Sequence, residues 1–381
     1  MAEKPIYLDY NATTPIDPRV AKAMEPFLHT HFGNPSSPHP YGVTARQALE
    51  RARRQVASLI ASKSEEIVFT SGGTEANNTA IKGIAAAYRS KGNHIVTSAI
   101  EHPAVLEPCQ HLQSKGLDVS VVPVDSFGVV DPKQVEKAIT PQTILVSVMH
   151  ANNEIGTVEP IAEIADIVHW AGALMHTDAA QSIGKLPVAV DELGVDLLSI
   201  AGHKLYAPKG VGALYLRSGV NLEKWMHGAS HERNHRAGTE NVLEIVGLGE
   251  AAAIAAAELE SNRDHMLAMR ERLWHGLQVR QPDLRLNGHP HHHLPNTLSI
   301  SFANLAAEDL LYELWDEVAA SAGAACHAEG VTISPVLQAI GLPLEYALGT
   351  LRFSTGRFTT PYEIDQAVEA IAQAVERARM E

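Results

Sequence analysis

From about residue 45 to 246, short apolar runs alternate with longer segments whose apolar residues recur at helical spacing. The runs are EIVFTS, HIVTSAI, VSVVPV, TILVSVMH, ALMHTD, VDLLSIAG and GALYL, each bounded by Gly, Pro or polar clusters, and segments such as YGVTARQALERARRQVASLIA lie between many of them. Such an alternation predicts an α/β fold, a mostly parallel sheet covered by helices on both faces. From Glu250 to His275 there is no Gly or Pro and much Ala, Leu and Glu, which predicts one long helix joining two domains. Beyond it, PNTLSISFAN alternates as a strand does, and TPYEIDQAVEAIAQAVERAR predicts a terminal helix with Thr360 near its N-cap. The C-terminal third is therefore expected to form a smaller α+β domain.

Composition narrows the classes. At 381 residues the chain exceeds one ordinary domain. A formal net charge of −14, with no Lys/Arg-rich run, argues against a nucleic-acid partner. No apolar run reaches membrane-spanning length and the start MAEKPIYLDYNATTP holds no apolar signal core, so no membrane association and a cytoplasmic location are expected. Only two cysteines are present, Cys109 and Cys326, which rules out a disulfide framework.

In an open α/β sheet, ligands sit beyond the carboxyl ends of the strands, and three such places carry candidate chemistry. In IVFTSGGTEANN, the turn Ser71-Gly72-Gly73 leads into a helix at Thr74, which reads either as an ordinary capped turn or as a phosphate cradle of free backbone N–H groups. In ALMHTDAAQSIGK, Asp178 either caps the next helix or lies under a pyridine ring and keeps its nitrogen protonated, with Gln181 a few residues on. In VDLLSIAGHKLYAPKG, Lys204 is either a snorkelling surface lysine or a Schiff-base amine held where its charge is disfavoured. A phosphate cradle, a pyridinium partner and a Schiff-base amine together are the parts pyridoxal 5'-phosphate requires.

The motifs YLDYNATTP, GNPSSPH, FTSGGTEANN, IEHPAV, MHANNEIGTVEPI, HTDAAQSIGK, AGHKLYAPKGVGALY, HERNHRAGTEN, SAGAACHAEG and LRFSTGRFTT run in order over essentially the whole chain. With them the sequence resembles the cysteine desulfurases, and more particularly the selenocysteine lyase branch, of the class V aminotransferase-like pyridoxal-phosphate enzymes. The resemblance implies a fold type I transferase with a seven-stranded, mostly parallel sheet. The large cofactor-binding domain is expected at 16–260, and 1–15 with 261–381 as a small domain carrying a cysteine loop.

The same resemblance implies site roles. Lys204 should hold the cofactor covalently, Asp178 should pair with the pyridine nitrogen, and Gln181 and Asn153 should surround the phenolic oxygen. His102 should stack on the ring and transfer protons; from the sequence alone it reads as a capping or core histidine. Gly73, Thr74 and His203 should hold the phosphate, with Thr239 reaching across from the second subunit of a homodimer. Arg352 should take the substrate carboxylate as a bidentate fork, with Asn34 close by; the competing reading of Arg352 is a structural salt bridge. Cys326, among small residues, is implied as the nucleophile that receives sulfur as a persulfide, whereas Cys109 reads as a buried small hydrophobe.

Two departures stand out. Many desulfurases have serine two residues before the histidine of the lysine motif, where this chain has Ala201, so the phosphate site lacks one donor, a loss of roughly 1 to 2 kcal/mol. The usual glycine-rich run before HER is here GASHER, with Ala229 and Ser230, so the turn is expected to differ. The HPHHH cluster, His289 to His293, shows no second ligand group at defined spacing and is not expected to bind metal. The activity implied is conversion of L-cysteine to L-alanine with sulfur left on Cys326, by a sulfurtransferase that passes it to an acceptor such as an iron–sulfur scaffold protein. The alternatives are a selenocysteine lyase, an aminotransferase and a cofactor-free scaffold for sulfur transfer.

Overall fold

The computed structural model describes residues 4–327 and 330–380, with the side chains of 324–332 left outside that description. Among the described residues, seven strands form the main sheet, one for each apolar run. Their spatial order is Ile67–Thr70, Gly212–Leu216, Leu197–Ala201, Leu174–Asp178, Thr143–Ser147, His94–Ser98 and Asp118–Val122. Gly212–Leu216 runs antiparallel to both of its neighbours and the other pairings along the sheet are parallel. The inner strands are buried, save the half-buried Leu174, because helices cover both faces, and that is why their sequences are apolar runs. Parallel direction brings the carboxyl ends of Ile67–Thr70, His94–Ser98, Thr143–Ser147, Leu174–Asp178 and Leu197–Ala201 to one edge of the sheet, where the motifs follow.

A second sheet of four strands, in the order Ser321–Ala322, Thr350–Ser354, Thr297–Ser301 and Arg285–Asn287, is antiparallel and packs with the helix Pro361–Ala378. That helix begins at Thr360, whose side chain accepts from Glu363 N in a reciprocal capping box. The start of the chain joins this part, since Ile6 and Tyr7 pair with Val318 and Ala319, and Leu8 lies in the same core. Next to Ser321–Ala322, a hairpin pairs Ala324–His327 with Gly330–Ile333, and Cys326 sits opposite Val331 in its register.

The single helix expected through Glu250 to His275 is two helices, Val242–Ala257 and Leu259–Arg280. The break falls at Glu258, with φ −116° and ψ 14°. Ser261 Oγ donates to the Glu258 carbonyl at 3.0 Å, and the Glu258 carboxylate pairs with Arg19 at 2.5 Å. Ile245, Leu248 and Ala251 of the first helix belong to the core around the large sheet, whereas Met269, Leu273 and Leu277 of the second belong to the core around the small one. Each half follows its own core, and the helix breaks with no Gly or Pro to announce it.

The GASHER loop also departs from ordinary backbone, because Glu232, Arg233 and Asn234 all have φ between 46° and 72°. A buried ion pair holds it: the Glu232 carboxylate accepts from Arg53 Nη1 and Nη2 at 2.8 Å each and from Phe69 N at 2.8 Å. Both side chains are 3% exposed, so neither charge has water to fall back on. Glu232→Gln is therefore expected to lower unfolding stability by about 3 kcal/mol, since it leaves the guanidinium without its buried countercharge and with only the exposed Glu50 carboxylate at 3.3 Å. Denaturant titration measures this, and a loss under about 1 kcal/mol would show that the pair does not hold the loop.

Candidate active site

The carboxyl ends of the large sheet open onto a cavity of about 410 Å³, lined by Gly73, Thr74, His102, Asn153, Asp178, Gln181, Ala201, His203, Lys204 and Arg352 together with Asn11 and Asn77. Of the residues singled out from the sequence, ten therefore meet in one place.

At one end stands the helix Gly73–Ala87, and among the described residues no side chain caps its N-terminus. Its first N–H groups and positive dipole end thus remain for an anion. Gly73 lies so close to Ala201 that a Cβ on it would stand 3.1 Å from the alanine methyl, placing position 201 against the same end. At the other end, Asp178 closes its strand. Its Oδ2 accepts from Asn77 Nδ2 at 2.7 Å and its Oδ1 from Ala180 N at 2.9 Å. Asp178 caps no helix, since the chain after it forms turns and not a helix; its contact to Ala180 N closes a local turn while the carboxylate borders the cavity. Asn77 had no role in the sequence reading; the signal was its place one turn after Gly73, on the same face of the helix.

The Lys204 amine donates to the main-chain carbonyls of Asn11 and, at 2.8 Å, Ala12. Burial pushes its pKa down to about 8, the Arg352 cation adds to the fall, and Asp9 and Asp178 oppose it. A lysine in this state supplies free amine near neutral pH, which a surface lysine does not. His102 is the N-cap of Pro103–Gln113: its Nδ1 accepts from Ala104 N at 3.0 Å, which puts the ring proton on Nε2. Burial lowers its pKa, with Lys204 adding and Asp178 opposing. Burial likewise takes His203 to about 4, and its Nδ1 meets Thr13 Oγ1 at 3.2 Å.

Arg352 forms the salt bridge that its competing reading proposed, with Nη2 2.7 Å from Asp9 Oδ1 and 2.8 Å from Ser321 Oγ. It also faces the cavity, and Nη1 donates to Asn153 O at 3.0 Å. Its Nε and the Oδ1 of Asn77 are buried and lack partners among the described residues. Buried polar atoms without partners are costly to the fold.

Asn34 and Thr239 are exposed and do not line this cavity; Asn34 Oδ1 instead accepts from Ser36 N at 2.9 Å. The Cys326 side chain lies outside the described residues, although its hairpin is anchored by Ser334 N donating to Gly323 O at 3.0 Å and Gly323 N to Thr350 O at 2.8 Å. Cys109 is buried in its helix, where burial pushes the thiol up to about 12, well away from thiolate chemistry. In the histidine cluster, His289 Nδ1 accepts from the backbone N–H groups of His291 and His292 at 3.1 and 2.8 Å, closing a turn.

An uncapped helix N-terminus, a hydrogen-bonded aspartate and a desolvated lysine at the ends of parallel strands are the groups a lysine-dependent pyridoxal-phosphate enzyme needs, and the residues present fit that cofactor. A profile of the family described as aminotransferase class-V matches residues 6–367. The chain belongs to that family, whose cofactor is pyridoxal 5'-phosphate. It is similar to the cysteine desulfurase IscS of Dictyoglomus turgidum, 47% identical over 378 residues that cover 99% of this chain and 96% of that one. Among solved structures, a NifS-like protein superposes with a TM-score of 0.92 at 37% identity, covering 98% of this chain and 100% of its own. SspA in complex with cysteine gives a TM-score of 0.82 at 35% identity, covering 94% of this chain and 100% of that one.

Proposed function

We propose that the protein is a cysteine desulfurase that converts L-cysteine to L-alanine and leaves the sulfur on Cys326 as a persulfide. The observation that carries this reading is the desolvated Lys204 amine lining one cavity together with Asp178 and Arg352. Full-length similarity to proteins named cysteine desulfurase, and to one solved with cysteine, supports the substrate.

When bound, pyridoxal 5'-phosphate would supply an electron sink, and Asp178 would keep its pyridine nitrogen protonated. Gly73, Thr74 and His203 would hold its phosphate, His102 its ring face, and Asn153 and Gln181 its phenolic oxygen. Arg352, which borders the cavity, takes the substrate carboxylate. Lys204, as free amine, removes the proton from the substrate Cα and later returns one. The Cys326 thiolate attacks the substrate sulfur, so that an S–S bond forms as the C–S bond breaks. The electron pair of that bond goes to carbon, which takes up a proton and leaves as the alanine methyl group. Cysteine and one enzyme thiol thus become alanine and one persulfide.

Two further parts belong to the same reading. A homodimer would let exposed Thr239 complete the partner's phosphate site, and the persulfide calls for a sulfur-acceptor protein. Purified protein loaded with pyridoxal phosphate is expected to release alanine from L-cysteine in the presence of a thiol reductant. Alanine formed only from L-selenocysteine would make it a lyase, and the absence of visible cofactor absorption would make it a scaffold.

A further inference from the structure

Behind the pocket lies a lysine that the mechanism above does not use. Lys185 is 5% exposed, and its amine donates to Gln181 Oε1 and to Asn11 Oδ1, both at 3.0 Å. No carboxylate pairs with it among the described residues, and the cations facing it are Lys204 and Arg352. Burial drives its pKa well below the ordinary lysine range, with those two cations adding to the effect. An amine buried without a countercharge destabilises a fold, so stability alone does not account for it.

Its two acceptors are both amides. The oxygen and nitrogen ends of an amide are nearly identical in shape, so hydrogen-bond partners decide which way each one faces. The Lys185 amine has at least two N–H bonds in either protonation state, and both are spent on amide oxygens. Gln181 is thereby turned so that Nε2 donates to Asn11 O at 3.0 Å, and Asn11 so that Nδ2 donates to Thr297 Oγ1 at 2.8 Å and Asn153 O at 3.1 Å. Asn11 O also accepts the Lys204 amine, and Asn153 O accepts Arg352 Nη1 at 3.0 Å. Asn296 Nδ2 donates to Asn11 Oδ1 at 3.0 Å, reinforcing the same orientation. One amine thus stands behind the groups that hold Lys204, Gln181, Asn153 and Arg352 in register.

We propose that Lys185 is a positioning residue of the pocket, which sets the facing of the Gln181 and Asn11 amides and so presents the Gln181 N–H group and the Lys204 amine to the cofactor. The inference rests on the pyridoxal-phosphate reading of the pocket. Without Lys185, the Gln181 amide loses the donor that fixes its Oε1 and can turn over to offer an oxygen where a donor is needed, while Asn11 loses one of the two donors to its Oδ1 and keeps Asn296.

The test is a double-mutant cycle of Lys185→Met, Gln181→Met and the pair. It reads equilibrium pyridoxal-phosphate affinity of the apoprotein, the pH midpoint of the bound cofactor's visible absorption, and the thermal midpoint. Each single variant is expected to lose about tenfold in affinity, the scale of one lost hydrogen bond in a buried site, and to shift the pH midpoint in the same direction. The double variant should be no weaker than the weaker single one, because both act through one amide. The thermal midpoint of Lys185→Met should equal or exceed that of the wild type. Multiplying losses in the double variant, or loss of folded protein in Lys185→Met, would overturn the proposal by making the lysine independent of Gln181 or structural. Wild-type affinity and pH midpoint in Lys185→Met would overturn this inference alone, whereas a wild-type protein that takes up no cofactor would overturn the pocket reading beneath it.

Discussion

Lys204→Ala is expected to reduce alanine formation from cysteine by at least ~10⁴-fold, because one amine serves as both covalent anchor and base. The fold should survive, since the side chain's bonds go to the main-chain carbonyls of Asn11 and Ala12. Linkage gives the sign of the stability change. Burial holds the folded pKa at about 8 against an ordinary 10.5, so between those values the unfolded chain binds more protons and stability rises with pH. Below pH 8 the depressed pKa is a full cost to the folded state, which the alanine variant lacks. At pH 7 that variant should therefore melt no lower than wild type apoprotein, and its stability should climb less between pH 8 and 10. Alanine release, visible absorption and thermal melts at several pH values check each part. Turnover within tenfold of wild type would remove Lys204 from the chemistry.

Cys326→Ala is the second large effect, and it divides by substrate. A thiol-derived sulfur is a poor leaving group, so cysteine needs a thiolate to attack it, whereas the more acidic selenol can depart without that help. The variant is expected to lose cysteine turnover by at least ~10³-fold, the thiolate being the proposed sulfur acceptor, and to keep part of any selenocysteine turnover. The backbone is consistent with this role: Ser321 pairs directly with Arg352, and four residues lie between it and Cys326, a span of about 17 Å at most. Alanine quantified from both amino acids under reducing conditions is the measurement. Cysteine turnover equal to wild type would refute the persulfide, and loss of both activities would extend the role of Cys326 to selenium.

Where an element's environment imposes a local composition, the sequence displayed it. Each of the seven apolar runs is a strand of the large sheet; the inner ones are packed between two helical layers and have no solvent side to make them alternate, whereas the edge strand Asp118–Val122 is partly exposed. Thr360 caps its helix through contacts three residues away, within reach of any local reading. The helix break at Glu258 had no local mark, because its partner Arg19 lies 239 residues earlier. Likewise, His102 read locally as a cap and is one; only its position at the cavity shows what else that ring can do.

By itself, then, the chain determined the strands, the helix caps and the order of its motifs, because these depend on neighbours a few residues apart and leave a period or a spacing. Tertiary structure alone decided the electrostatics of the pocket. Lys204 and Lys185 are ordinary lysines in the sequence, and it is burial beside Arg352 that disfavours their charge. Arg352 meets Asp9 across 343 positions, and Lys185 meets Asn11 across 174. Contacts of that range follow from how the two cores pack against each other, and desolvation, the largest cause of both lysine shifts, exists only once that packing has excluded water.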